Sequence, residues 1–506
     1  MLNIRAGCRT YDLRSGVWAF GYHDDMDAAL PPDCTTAIAC CALNVGGRRW
    51  TLTGLGLAIR DFAIDPLADV LVMVAQAQNE LVFFCGCCVV LMMRGVCSPR
   101  VPYCVHVRRL SDGRPHELAA AAALDFHVVD SQSGACSFSV QLRGAHVGVL
   151  VQQDEGQHAG EIDCLGVWNW CTGVQEVVRR IRPSRLSDAD FFCQYMEATV
   201  GGFDDFVFVD NRTFMLAVFG HPIALQVWRF GDPALYCLGT FCMPVTISQD
   251  AYFDIHFGGG SPSSVAGAAS LDGAPFATSS EAQIITLSFS MVEPGDGPAE
   301  GAVACFTVVV RYHLMLEALA KVWAGIRDPE IKETGMPPLK WGAWGPACTR
   351  WLRQDRVYCS WEPCSLGGRY AIIGRHPDSS GPRREPQVIR IYDFRPEIVS
   401  RYRDGGSPGT VCVQPTVVPK GNMFVRDIVS ELPYHVVTSS KELGCRIAGV
   451  MMDEGRLVCP KARAQCSTRV DGAHYLFGFF RRSPTRSGGR CLCSHFDMRR
   501  ELYVAP

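Results

Sequence analysis

The residues best equipped for chemistry are thiols. Cys85-Gly86-Cys87-Cys88 sets Cys85 and Cys88 at the C-x₂-C spacing that zinc uses. A tetrahedral site needs a second such pair. The other dense stretch, Cys491-Leu492-Cys493-Ser494-His495, puts its sulfurs too close together and adds a lone His. No metal site is expected; buried thiols and an incidental cluster account for both stretches. Gly258-Gly259-Gly260-Ser261-Pro262 leads into no helix carrying Lys-Ser/Thr, which argues against a phosphate loop. Neither a G-x-S-x-G elbow nor an H-E-x-x-H helix occurs. Asp24-Asp25 and Asp204-Asp205 are paired carboxylates, but neighbours on a strand point to opposite faces, so they read as turn residues. No catalytic, cofactor-binding or metal-ligating set is therefore expected. Trp341, Trp344 and Trp351, with Trp361 nearby, are the weak candidates for an interaction surface. The competing reading makes them filling between packed sheets, since aromatics dominate cores.

The elements that carry these residues are strands. Leu165-Gly166-Val167-Trp168-Asn169-Trp170-Cys171-Thr172-Gly173 reads as a strand running into a turn. The same grammar recurs at Val107-Arg108-Arg109-Leu110-Ser111-Asp112-Gly113, Val227-Trp228-Arg229-Phe230-Gly231-Asp232 and Ile391-Tyr392-Asp393-Phe394-Arg395-Pro396. The first three copies are 60 residues apart (167 − 107 and 227 − 167). A strand-turn unit at a long fixed period marks a radial or stacked repeat. About six hairpin-plus-strand units run from roughly residue 60 to 480. Radial closure hides the edges of so long an antiparallel chain, so the expected fold is all-β, a β-propeller of six to seven blades, with a two-sheet sandwich array as the alternative. His313 to Val322 is the best helix candidate, and Ile326 to Ala347 shows no helical period.

Residues 1–50 form an N-terminal segment without clear pattern that could join the first blade. Residues 51–480 form the repeat domain, with an insert at 76–102. Residues 481–506 form a basic tail with Arg481, Arg482, Arg486, Arg490, Arg499 and Arg500. With 48% hydrophobic and 20% charged residues the chain is globular, and a net charge of −3 gives no basic field, so nucleic acid is not an expected partner. The longest apolar run, Leu81 to Met93, falls short of a membrane span. No signal peptide opens the chain and the 25 cysteines are odd in number, which points to reduced thiols in a cytoplasmic or nuclear protein.

Several strings resemble, in order, a segment of the F-box proteins of basidiomycete mushrooms. They are Arg60-Asp61-Phe62-Ala63-Ile64-Asp65-Pro66, Val167 to Gly173, Trp344-Gly345-Pro346-Ala347-Cys348-Thr349-Arg350-Trp351, Ile391-Tyr392-Asp393-Phe394, Val429-Ser430-Glu431-Leu432-Pro433-Tyr434 and Val450-Met451-Met452-Asp453. The resemblance spans roughly residues 45–460 and implies a non-catalytic protein-interaction module, the substrate-recognition region of a ubiquitin ligase. The helical F-box that would dock on the Skp1 adaptor has only a faint counterpart, Leu30-Pro31-Pro32-Asp33. The first 50 residues lack a helical apolar stripe, so Skp1 binding is not expected. The alternative function is a propeller hydrolase or a lectin-like ligand-binding protein. An enzyme would gather ionisable groups in one pocket, whereas an interaction module would expose an apolar patch.

Overall fold

The computed structural model describes residues 10–24, 34–43, 47–76, 100–129, 136–153, 164–180, 203–218, 222–231, 235–247, 253–258, 280–292, 303–325, 337–354, 365–375, 387–403, 409–421, 423–439, 450–452, 457–460 and 502–505. They build eight antiparallel sheets, of which seven stand in a ring, a β-propeller, and the eighth pairs Thr416–Val418 with Ile428–Ser430. Blades 1 to 5, over residues 11–52, 59–129, 136–180, 203–242 and 253–354, have four strands each, in sequence order. Blade 6 (365–438) has five and blade 7 (451–505) three. The first strands of blades 1 to 5 pack on one another in succession, and that of blade 6 packs on that of blade 7, so these strands stand innermost.

The 60-residue grammar finds its origin here. Its copies fall on the third strands of blades 2, 3, 4 and 6: Arg100–Arg109, Cys164–Asn169, Ala224–Arg229 and Gln387–Asp393. Residues 11–52 are a complete blade, with Trp18 and Ala19 buried at its centre. At the other end Leu502–Ala505, expected in a basic tail, pairs with Leu457–Pro460 and finishes blade 7. Of the expected insert, residues 77–99 lie outside the described set, while the strand set to begin at Cys104 already begins at Arg100. Cys85 to Cys88, Cys491 to His495 and Trp361 also lie outside it.

Alternation closes the ring. Met451 and Val458 of blade 7 pack on Leu13, Trp18, Phe20 and Ala39 of blade 1. Their neighbours Val450, Met452 and Cys459 pack on Leu366, Ala371, Ile373 and Ile389 of blade 6. Period-2 geometry lets one short strand pair serve both junctions.

Polar side chains on and beside the inner strands latch blades 1 to 6 in succession. Asp12 Oδ2 accepts the Ile64 N–H at 2.9 Å, and Asp61 Oδ2 accepts the Val140 N–H at 2.9 Å. Gln141 donates to the Phe206 carbonyl at 2.8 Å and accepts the Phe208 N–H at 3.1 Å. Asp205 Oδ2 accepts the Phe257 N–H at 2.8 Å, and the Thr286 and Ser365 hydroxyls meet at 3.1 Å. Asp61 and Asp205 each follow a register shift at the start of their strand. Such a bulge re-aims the side chain toward the neighbouring blade. Asp205 is thus a buried strand residue, and the turn reading of Asp204-Asp205 is corrected.

These carboxylates are desolvated, and burial pushes Asp61 up to about 7, with further upward pressure from Asp12 and Asp205. Burial raises Asp12 and Asp205 too, against Arg14 and His256 respectively. Because the folded state holds the Asp61 proton more tightly than the unfolded chain, stability falls as pH rises from about 4 to about 7. Asp61→Asn keeps an acceptor for Val140 and removes the buried charge. Its melting temperature is expected to exceed that of wild type at pH 8 and to vary less between pH 5 and 8, as a scanning-fluorimetry series will read.

Among the described residues three α-helices interrupt the strands: α1 (Tyr312–Gly325), α2 (Trp341–Cys348) and α3 (Pro396–Tyr402). The first matches the expected helix at 313–322. The second corrects the reading of 326–347 as non-helical, because α2 forms around Gly342, Gly345 and an internal Pro346. None of the described helices is long and apolar enough to cross a membrane.

Candidate functional site: an aliphatic rim over a tryptophan cluster

The three tryptophans singled out by sequence come together where blade 4 meets blade 5. Leu339 adds to the outer edge of blade 4, donating to the Thr240 carbonyl and accepting the Cys242 N–H, both at 2.8 Å. This covers an edge that would otherwise offer unpaired backbone groups. Helix α2 then carries the chain across to the outer strand of blade 5, Thr349–Gln354. A Cβ on Gly345 would lie 2.3 Å from the Trp341 ring, so only glycine admits that ring against the helix.

Trp344 and Trp351 are 1% and 0% exposed, and Trp341 is half-buried. Trp341 stands edge-on to Trp344 at 5.1 Å and to Trp351 at 5.9 Å. Trp344 Nε1 donates to the Cys242 carbonyl at 3.1 Å. Trp351 meets Phe289, Phe306 and Phe424 at 5.7, 5.5 and 5.7 Å, and its buried Nε1 has no partner. Trp344 and Trp351 therefore cannot contact a partner directly; they are inter-blade filling, and Trp341 alone reaches the surface.

What they support is a surface that sequence reasoning missed. Thr246 and Phe424 form an isolated antiparallel bridge, flanked by Val425 N–H to the Val245 carbonyl at 3.0 Å and Ile247 N–H to the Met423 carbonyl at 2.9 Å. Thr246 and Phe424 point inward, Phe424 onto Trp351. Alternation sends Val245, Ile247 and Val425 outward, where they are 44%, 56% and 51% exposed. Lys420, Arg426 and Asp427 are exposed beside them, and the Asp427 carboxylate accepts the Lys420 backbone N–H at 2.8 Å.

The segment bearing Val425 is anchored by Arg350, which is fully buried. Its guanidinium donates to the carbonyls of Gln414 and Ser430 and to the Thr416 hydroxyl at 2.9, 3.1 and 2.8 Å, and lies 4.9 Å over the Tyr434 ring. Ser430 Oγ accepts the Trp351 N–H at 3.1 Å. The rim therefore rests on a cross-linked base.

Among the described residues no group of three or more His, Cys, Asp or Glu could hold a metal. The nearby thiol Cys348 is pushed up to about 11 by burial, first of all, and by Glu317, which keeps it a thiol at neutral pH.

No family model matches this chain, and no curated protein does. Among solved structures it is similar to the C-terminal WD40 domain of Sif2, with 8% identity and a TM-score of 0.28 over 90% of this chain and 93% of that one. A chain from an S. cerevisiae assembly, in which a Dbp5 variant is bound to Nup159, a Gle1 variant, IP6 and ADP, aligns at 6% identity and a TM-score of 0.30, over 91% and 87%. The tricorn protease aligns at 8% and 0.16, over 91% of this chain and 55% of that one. At such scores the likenesses carry no argument, and the propeller stands on its own sheet order, latches and ring closure.

Proposed function

We propose that this chain is a non-catalytic protein-interaction module, built like the target-binding region of an F-box protein, whose partner docks on the Val245–Ile247–Val425 rim. The observation that carries this reading is three large aliphatic side chains held exposed on a rigid, aromatic-backed bridge. Exposed apolar clusters with polar borders mark interaction sites. Lys420 and Arg426 against Asp427 leave the border net positive by one charge. The fitting partner segment is apolar with an acidic flank.

The experiment is photo-crosslinking from position 425, identification of the adduct, and titration of that purified partner. Ile247→Asp and Val425→Asp are expected to weaken it tenfold or more, about 1.4 kcal/mol, without changing the melting temperature. A partner that binds both variants as tightly as wild type refutes the rim.

The adaptor prediction concerns the other end of the chain. The described part of the first 52 residues is a four-stranded sheet, not the helical face that helix-in-groove docking needs. Purified Skp1 is expected to elute separately from this chain. A micromolar complex retained by a 1–52 fragment overturns that.

A further inference from the structure

On the face where the first turn of each blade lies, blades 3 and 4 border a wide-open cleft of about 410 Å³ lined by Arg143, Asp210, Asn211, Arg212 and Arg229. Arg143 ends the inner strand of blade 3, Asp210 to Arg212 make the first turn of blade 4, and Arg229 ends its third strand. Topology, not sequence spacing, brings them together. Asp210 Oδ1 is occupied in accepting the Arg212 backbone N–H at 2.8 Å, which shapes the turn. The Arg212 stem lies along Gly231, whose φ of +112° favours glycine and whose Cβ, if present, would make ordinary contact with Arg212 Cδ at 3.6 Å. Among the described residues, Arg212 and Arg229 form no ion pair with a carboxylate. A further cation, Arg14 of blade 1, donates to the Leu142 carbonyl at 2.7 Å and so stands beside Arg143.

Three guanidinium groups against one carboxylate leave the lining with a net charge of +2. A single carboxylate ligand would neutralise half of that and fill little of the cleft. A phosphate monoester above pH ~6 carries about −2, with three strong acceptor oxygens, and arginine forks match it bidentately. The volume leaves room for the group that carries the phosphate. We propose that this cleft is a binding site for a phosphate monoester, held by Arg212 and Arg229 with Arg143 behind them. Burial, reinforced by Arg14, lowers Arg143 to about 10, partly offset by Asp210 and Asp65, so it stays charged at neutral pH. Ionisable groups at the margin include His146, whose ring stands edge-on to Phe230 at 5.0 Å and meets the Glu176 carboxylate at 3.2 Å, and Tyr312 of α1, which is bonded to Thr213 and kept protonated, above all by burial.

The site is independent of the aliphatic rim, and its test is separate. The full chain is titrated at low salt with inorganic phosphate, a hexose 6-phosphate, a short phosphoserine peptide and acetate, by calorimetry or NMR. Phosphate and its esters are expected to compete with one another and to bind more tightly at pH 7.5 than at 5.5. They are expected to weaken tenfold or more in Arg212→Gln/Arg229→Gln, at unchanged melting temperature because both side chains are exposed. The tightest arm identifies the carrier, a free metabolite or a phosphorylated side chain. Absence of binding up to 10 mM for every phosphate, equal binding of acetate, or affinity unchanged in the double variant overturns the proposal.

Discussion

Trp351→Ala is expected to destabilise the protein by about 3–5 kcal/mol, the usual range for removing a fully buried tryptophan. Phe289, Phe306, Trp341 and Phe424 surround the ring. They belong to blade 5, α2 and the excursion carrying Val425, so no single element can shift to fill the hole. Trp351→Phe should fare much better. The indole N–H is buried without a partner, so exchanging it for a phenyl ring removes an unmet donor along with some packing. Denaturant unfolding of both variants decides the matter. An alanine variant within about 1 kcal/mol of wild type would show that the cluster collapses around the void, and that the rim above it is not rigidly supported.

Asp205→Ala is expected to lose about 2–4 kcal/mol, and Asp205→Asn less than about 1 kcal/mol. Alanine leaves the Phe257 and Phe206 N–H groups without their acceptor, and the Ser139 hydroxyl without its partner. An unmet buried donor costs roughly 1–3 kcal/mol. Asparagine keeps one acceptor and removes a charge whose burial the fold opposes. Equal losses in the two variants, measured at pH 7.5, would mean that the charge of Asp205 matters and its latch to blade 5 does not.

The propeller was legible because its third strands advertise themselves. Val167 to Gly173 and its copies are central strands with bulky residues on one face and a fixed turn. The outer strands were not: among the described residues Gln175–Arg180 is paired with one strand only, Tyr236–Cys242 meets only Leu339 on its outer side, and Gln175 and Tyr236 face solvent. Blade 1 was obscured by its third strand, Ala-Ile-Ala-Cys-Cys-Ala at Ala37–Ala42, whose small residues carry little strand signal. Helix α2 was hidden by two glycines and a proline, and the role of Asp205 by a bulge that breaks simple alternation. The tryptophans led to the right region, but burial withdraws two of them from the surface. Val245 and Ile247 in one connection, Val425 in another and the arginines at 143, 212 and 229 meet only once the blades are stacked, and no local pattern announces such meetings.

The way the ring closes sets how it comes apart. Among the described residues blade 1 is drawn from 11–52 and blade 7 from 451–505, and no described sheet mixes strands from the two ends of the circle. What the described residues place at that seam is side-chain packing, by Met451 and Val458 against Trp18 and Phe20. Under load, a shared strand must shear several hydrogen bonds at once, whereas apolar faces peel apart with little resistance. A pulling experiment should therefore find this seam yielding first, at low force, while the latched blades 1 to 6 persist as an open arc.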